Sequence, residues 1–302
     1  MKAACGISIL VLVCHFSLAG MTSSPILSYD SEYEEKIIKL FQSDDRVDQF
    51  DLFLISNAKI SWKESEKFKA NFNEFVASLE EKRVKIGNDE RFLNHLFYKV
   101  HRKYLKNYVE HSSFGDVFLN GNYDCLSGTA LYALILDRLE IQYAIKETDY
   151  HVLLMVEING KQFLLESTDP LSGLVSDKEK IIERIEKYLN REIGPNQNPS
   201  QVASEESYYQ YSFIVYNDIT LTQLAGLQYY NQAIASYNQQ DLVNTLAQLE
   251  KCLVFYHSER IEEFLTLAVS AVVKDKSMDF KTKGNLIQRF QQNLKQTVAS
   301  NK

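Results

Sequence analysis

Residues 124–139 read Asp-Cys-Leu-Ser-Gly-Thr-Ala-Leu-Tyr-Ala-Leu-Ile-Leu-Asp-Arg-Leu. Leu126, Ala130, Leu131, Ala133, Leu134, Ile135, Leu136 and Leu139 leave this helix almost no polar side. A helix that is apolar nearly all round has to be enclosed by other elements. The chain beyond it is extended: 141–147, 151–158 and 162–168 read as strands, and Asn159-Gly160 is a two-residue hairpin turn between the last two. A buried helix leading into an antiparallel sheet is an α+β pattern. Eleven glycines and four prolines in 302 residues are too few for a loop-rich all-β fold.

The chain before this core is helical. Ser31-Glu32-Tyr33-Glu34 reads as a capping box opening a short helix with Ile37, Ile38 and Phe41. Ser61-Trp62-Lys63-Glu64 is a second, with Phe68, Phe72, Phe75, Val76 and Leu79 behind it at helical spacing. A third helix is expected over about 88–109, with Tyr104 and Tyr108 on its apolar stripe. After the sheet, 171–193 read as a helix with Ile181, Ile182, Ile185, Tyr188 and Leu189 inward. Gly194–Ser207 read as a long loop, and Tyr209–Tyr216 as a strand returning to the sheet. From Ile219 onward a helical pair is expected, broken near Asn238–Asp241. It is similar to a tetratricopeptide-type pair, without a second clear copy.

The first nineteen residues have the form of a secretory signal: Lys2, an apolar Gly6–Phe16 run, and small residues at Ser17 and Ala19. The apolar run is too short to span a membrane as a helix. Cleavage after Ala19 leaves 32 basic against 40 acidic residues. With no basic cluster, nucleic acid has no electrostatic footprint. Cys5 and Cys14 leave with the signal, so Cys125 and Cys252 remain, too few for a disulfide scaffold. Cys252, between Leu249 and Leu253, reads as core.

Cys125 stands in the first turn of the buried helix, behind Asp124 as N-cap. Helix-start N–H groups and the dipole favour a thiolate there, and Ser127, Gly128 and Thr129 keep that end slim. Backbone N–H groups of this end, and Asn120 and Asn122, are candidate oxyanion donors. His151 begins the strand before the turn. A two-residue turn makes paired positions sum to 319, so Glu166 opposes Leu153 and becomes the diagonal neighbour of His151 on its own face. Asp169, beside Pro170, is the alternative. The chemistry is nucleophilic: Cys125 attacks an amide or ester carbonyl, His151 moves the proton, and Glu166 or Asp169 orients the imidazole. No cofactor and no metal is expected. His95 and His101 are six apart, not the three or four that bring ligands to one helix face, and they read with His111 as surface or packing residues.

The segment Asn120-Gly121-Asn122-Tyr123-Asp124-Cys125-Leu126-Ser127-Gly128-Thr129-Ala130-Leu131-Tyr132 resembles the cysteine motif of transglutaminase-like domains. His151-Val152 with the hairpin resembles their histidine motif. Glu166-Ser167-Thr168 is similar to the segment carrying the family's third member, with Glu where Asp is usual and Val152 where an aromatic usually follows the histidine. The resemblance covers about 115–170, and 209–256 are similar to the helical tail of some exported bacterial members. It implies a papain-like, transglutaminase-like core and a Cys125–His151–Glu166 triad. The organisation expected is a signal at 1–19, a helical segment at 20–110, the core at 111–216 and an α-helical region at 217–302.

The implied function is an exported thiol acyltransferase or amidohydrolase working on protein or peptide amides. A cell-wall cysteine peptidase is a second enzyme reading, though Leu126 interrupts the Asp-Cys-Ser-Gly element it requires. A third is a non-catalytic binding or scaffold protein whose helical C-terminal region grips a protein partner.

Overall fold

The computed structural model describes residues 27–43, 46–148, 151–190 and 217–300. The expected signal at 1–19, the loop at 194–207 and the strand at 209–216 lie outside the described residues.

The fold is α+β. The helical front end comprises α1 (Glu32–Gln42), α2 (Gln49–Leu54), α3 (Trp62–Ile86) and α4 (Asp89–Lys103). The Ser61–Glu64 capping box forms in full, and α3 stops where Gly87 turns left-handed at φ 65°. At α1 only half of the expected box forms. Ser31 accepts from the Glu34 N–H, but the Glu34 carboxylate accepts from the Asp30 N–H and points into the core. The third helix is shorter than expected. It ends at Lys103 with Tyr104 as C-cap, and Tyr108 falls on an exposed strand, β1 (Asn107–Tyr108). The aromatic stripe continues past the point where the backbone leaves the helix, so periodicity alone overran the boundary.

Next come α5 (Phe114–Leu119), β2 (Asn122–Tyr123), which pairs parallel with β1, and α6 (Cys125–Arg138). Every residue from Leu126 to Leu136 of α6 is buried. The main sheet holds β3 (Tyr143–Glu147), β4 (Val152–Ile158), β5 (Lys161–Leu165), β6 (Leu174–Val175) and β7 (Asn217–Ile219), in the antiparallel order β6-β5-β4-β3-β7. The Asn159-Gly160 turn has both residues at positive φ, 53° and 75°, the type I′ geometry whose twist suits a hairpin. The ladder obeys the expected register, with Leu154 opposite Leu165 and Val156 opposite Phe163.

Alternation along β4 and β5 divides the sheet's two faces. Val152, Leu154, Val156, Ile158, Phe163 and Leu165 share the main core with α6. Leu153 and Leu164 face the other way, against Ile181 and Ile185 of α7 (Lys178–Asn190). α7 starts later than expected because Leu174 and Val175 are taken by β6, whose glycine neighbour has no room for a side chain. A Cβ on Gly173 would lie 2.1 Å from the Glu166 carbonyl oxygen.

The C-terminal part begins with β7, which pairs with β3, and then runs through α8 (Leu221–Asn238), α9 (Leu242–Phe255), α10 (Glu259–Lys274) and α11 (Phe280–Ser300). The expected break between α8 and α9 is there, with Gln240 left-handed at φ 62° and Asp241 capping α9. One continuous core joins α1–α6, the sheet and α8–α11. Among the described residues no helix is long and apolar enough to cross a membrane.

Candidate active site

The start of α6 is built as a closed capping box. Asp124 Oδ1 accepts from the Ser127 N–H and from Ser127 Oγ, both at 2.8 Å, while the Asp124 N–H donates to Ser127 Oγ at 2.9 Å. Asp124 Oδ2 accepts from Asn231 Nδ2 of α8 at 2.9 Å. The helix end that carries Cys125 is therefore pinned by its own sequence and by the C-terminal helices. Gly128 lets this end approach the turn that follows β5, since a Cβ there would lie 2.8 Å from Ser167 Oγ. Thr129 Oγ1 donates to the Val152 carbonyl at 3.3 Å.

His151 is tied to Thr148. Its N–H donates to Thr148 Oγ1 at 3.0 Å, and the Thr148 N–H donates to its carbonyl at 2.8 Å. Its ring Nε2 is hydrogen-bonded to Glu166 Oε2. Glu166 is fully buried. Its Oε1 accepts from the Thr168 N–H at 2.9 Å and from Thr168 Oγ1 at 2.7 Å. Tyr188 of α7 donates to Oε2 at 2.7 Å. Burial acts upward on the Glu166 carboxyl, but the His151, Tyr188 and Thr168 donors outweigh it and hold the group below the ordinary carboxylate range. The diagonal expected from the hairpin register thus brings Glu166 and His151 together.

Asp169 goes elsewhere. Its Oδ1 accepts from the Leu171 and Ser172 N–H groups, closing the turn after Pro170, and its Oδ2 pairs with Arg184 at 2.8 Å. Of the two acids weighed from sequence, only Glu166 bonds to the imidazole.

Cys125 and His151 line one cavity of about 260 Å³. Burial first, and then the Asp124 and Glu166 carboxylates, push the Cys125 thiol well up; the Val152 and Leu126 N–H groups that face the sulfur offset part of this. Two nearby acids and desolvation thus act against the thiolate that the helix start favours, although Cys125 itself is only half-buried. Asn120 and Asn122 do not line the cavity. Asn120 Oδ1 accepts from the Asn122 N–H, and Asn122 Oδ1 accepts from Asn107 Nδ2.

Sequence reasoning missed several wall residues. Tyr108 is one; its ring is half exposed, and partial burial, followed by its acidic neighbours Cys125 and Asp124, pushes its phenol up to about 12. His111 is another, in the left-handed region at φ 61°. Tyr230, Ile234 and Arg260 come from α8 and α10. Arg260 pairs with Glu147 at 2.7 Å and stacks over Tyr230 at 4.7 Å. These residues lie outside the cysteine and histidine segments, so no local pattern points to them. The left-handed bend at His111 has no glycine or asparagine to announce it.

His101 is packed among Phe97, Tyr123 and Tyr132, and neither of its ring nitrogens has a hydrogen-bond partner. Burial pushes its pKa down to about 4 against weaker upward pulls from Asp169 and Glu166. The unfolded chain then binds a proton that the native state refuses. Stability from this site is full above pH 6.5 and falls as pH drops towards 4, by about 2 kcal/mol between pH 7 and 5. His101→Phe is expected to flatten that slope in urea titrations; a slope equal to wild type would refute the assignment. Among the described residues no three His, Cys, Asp or Glu are grouped to hold a metal ion.

No family model matches the chain, and no curated protein or solved structure matches it either.

Proposed function

We propose that the protein is an exported thiol enzyme with a papain-like, transglutaminase-like core, acting on protein or peptide amides. The observation that carries the reading is the buried Glu166 locked onto Nε2 of His151, at a cavity that Cys125 also lines. Engagement of Nε2 assigns the proton traffic to Nδ1, since an imidazole orients through one nitrogen and reacts through the other. A cavity of about 260 Å³ is below the usual range for a whole small-molecule ligand, roughly 300–1,000 Å³, and suits one side chain or acyl group of a larger substrate.

In the first step the Cys125 sulfur forms a bond to the amide carbonyl carbon while His151 takes the thiol proton. The raised thiol pKa makes this general-base assistance necessary rather than optional. The oxyanion is met by N–H groups at the head of α6. Tyr108, a neutral phenol at neutral pH, is a second donor on the same wall. The C–N bond then breaks, His151 passes its proton to the leaving amine, and a thioester remains. Water resolves the thioester to an acid, or a primary amine to a new amide.

The test is the rate of Cys125 alkylation by iodoacetamide against pH, resolved by peptide mass spectrometry. At pH 7, His151→Ala is expected to slow labelling by at least about tenfold, with Glu166→Ala intermediate and Asp169→Asn within about twofold of wild type. Labelling that begins only above about pH 8 and ignores His151→Ala would end the enzyme reading. That outcome would favour a non-catalytic binding protein on the same fold, a reading supported by the acidic, desolvated surroundings of the thiol.

A further inference from the structure

Tyr188 belongs to neither the cysteine nor the histidine segment, yet it touches both partners of the buried pair. Its ring stacks on the His151 imidazole, with centroids 4.4 Å apart and planes 19° from parallel. Its hydroxyl donates to Glu166 Oε2 at 2.7 Å, the same oxygen that His151 Nε2 engages. Oε1 is occupied separately by Thr168. The carboxylate is thus fixed at one oxygen and shared at the other. Around the ring, Leu153, Leu164, Ile181 and Ile185 form a small apolar cluster between the sheet and α7.

The geometry points to Tyr188 as a positioning residue for the His151–Glu166 pair, with two separable effects. The ring holds the imidazole plane and keeps water from the Nε2–Oε2 bond; excluding water strengthens such a bond. The hydroxyl takes part of the acceptor capacity of Oε2 and so limits how strongly the carboxylate pulls on the imidazole. Fixing the tautomer through an outer partner is how an orienting acid keeps the opposite nitrogen ready for proton transfer. The catalytic meaning of this device rests on the function proposed above, but the positioning itself does not.

Two substitutions separate the effects. Tyr188→Phe keeps the stack and removes the hydroxyl, and Tyr188→Leu removes both. The readout is the ¹H resonance of the His151 Nε2–H and its exchange with water in the full-length protein, with the thermal midpoint recorded for each variant. In Tyr188→Phe the resonance is expected to persist and move further downfield, because Oε2 then serves a single donor. In Tyr188→Leu exchange is expected to quicken by about tenfold or more. A merely structural tyrosine would lower the midpoint without moving the resonance in Tyr188→Phe, and that result overturns the assignment. So does an unchanged exchange rate in a folded Tyr188→Leu. If the resonance behaves as expected while Cys125 labelling ignores His151→Ala, the enzyme reading falls and the positioning role of Tyr188 stands.

Discussion

Replacing Lys251 with alanine is expected to cost about 3–5 kcal/mol of stability, among the largest effects available to a single substitution in this chain. Lys251 is fully buried in α9. Its ammonium pairs with Asp30 at 2.6 Å and with Glu34 at 2.9 Å, and lies over the Tyr229 ring at 5.3 Å. Glu34, also buried, accepts from Tyr229 Oη at 2.8 Å and has its other oxygen on the Asp30 N–H. Removing the lysine strands the Glu34 carboxylate in the core without a counter-charge, and that desolvated charge is the source of the cost. Urea unfolding at pH 7 measures it. Lys251→Met combined with Glu34→Gln is expected to recover most of the loss, since no buried charge is left unpaired; Asp30, whose side chain is 40% exposed, keeps Gln248 and water. A loss below about 1 kcal/mol for Lys251→Ala would mean that the pair is no more than a surface-strength interaction. This network ties α1 to α8 and α9.

The elements that could be read from the chain were those whose signals are local. The α6 sequence has no polar face, Asn159-Gly160 names its own turn, and the capping box at Ser61 needs only four residues. Register came from these: a two-residue turn leaves one pairing, and that pairing sets Glu166 diagonal to His151. The failures came where tertiary context decides. The aromatic stripe through Tyr104 and Tyr108 kept helical spacing after the backbone had left the helix. Glu34 has the position of a capping-box acid, but Lys251, more than two hundred residues away, draws it inward.

The site divides along the same line. Cys125, His151 and Glu166 stand within 42 residues of one another, and simple strand geometry relates the last two. Helix-start N–H groups are visible in sequence, and so is Asp124, which reads as a cap but also opposes the thiolate, whereas the desolvation and the charge of Glu166 exist only once α6 docks on the sheet. The α8 and α10 walls are set by long-range packing, with Asn231 reaching Asp124 across 107 positions. No spacing rule reaches that far.

The residue where fold and site meet most tightly is Gly128, and Gly128→Ala is expected to damage both. On an unobstructed helix this change would stabilise by about 1 kcal/mol, because glycine is the poorer helix former. Here the new Cβ would lie 2.8 Å from Ser167 Oγ, 2.9 Å from Ser167 Cβ and 3.2 Å from the Tyr123 ring. Ser167 is fully buried and directly adjoins Glu166, so it has little room to retreat. Overpacking of this kind costs about 1–3 kcal/mol, which outweighs the helix gain and reverses its sign. The strain falls on the segment that presents the carboxylate to His151. Cys125 labelling at pH 7 is therefore expected to slow by about tenfold even where the variant remains folded. Ser167→Gly removes both clashing serine atoms, so the double variant is expected to regain stability and labelling together. A Gly128→Ala protein more stable than wild type, with unchanged labelling, would show that α6 has slack against the Glu166 segment and that this contact does not set the geometry of the pair.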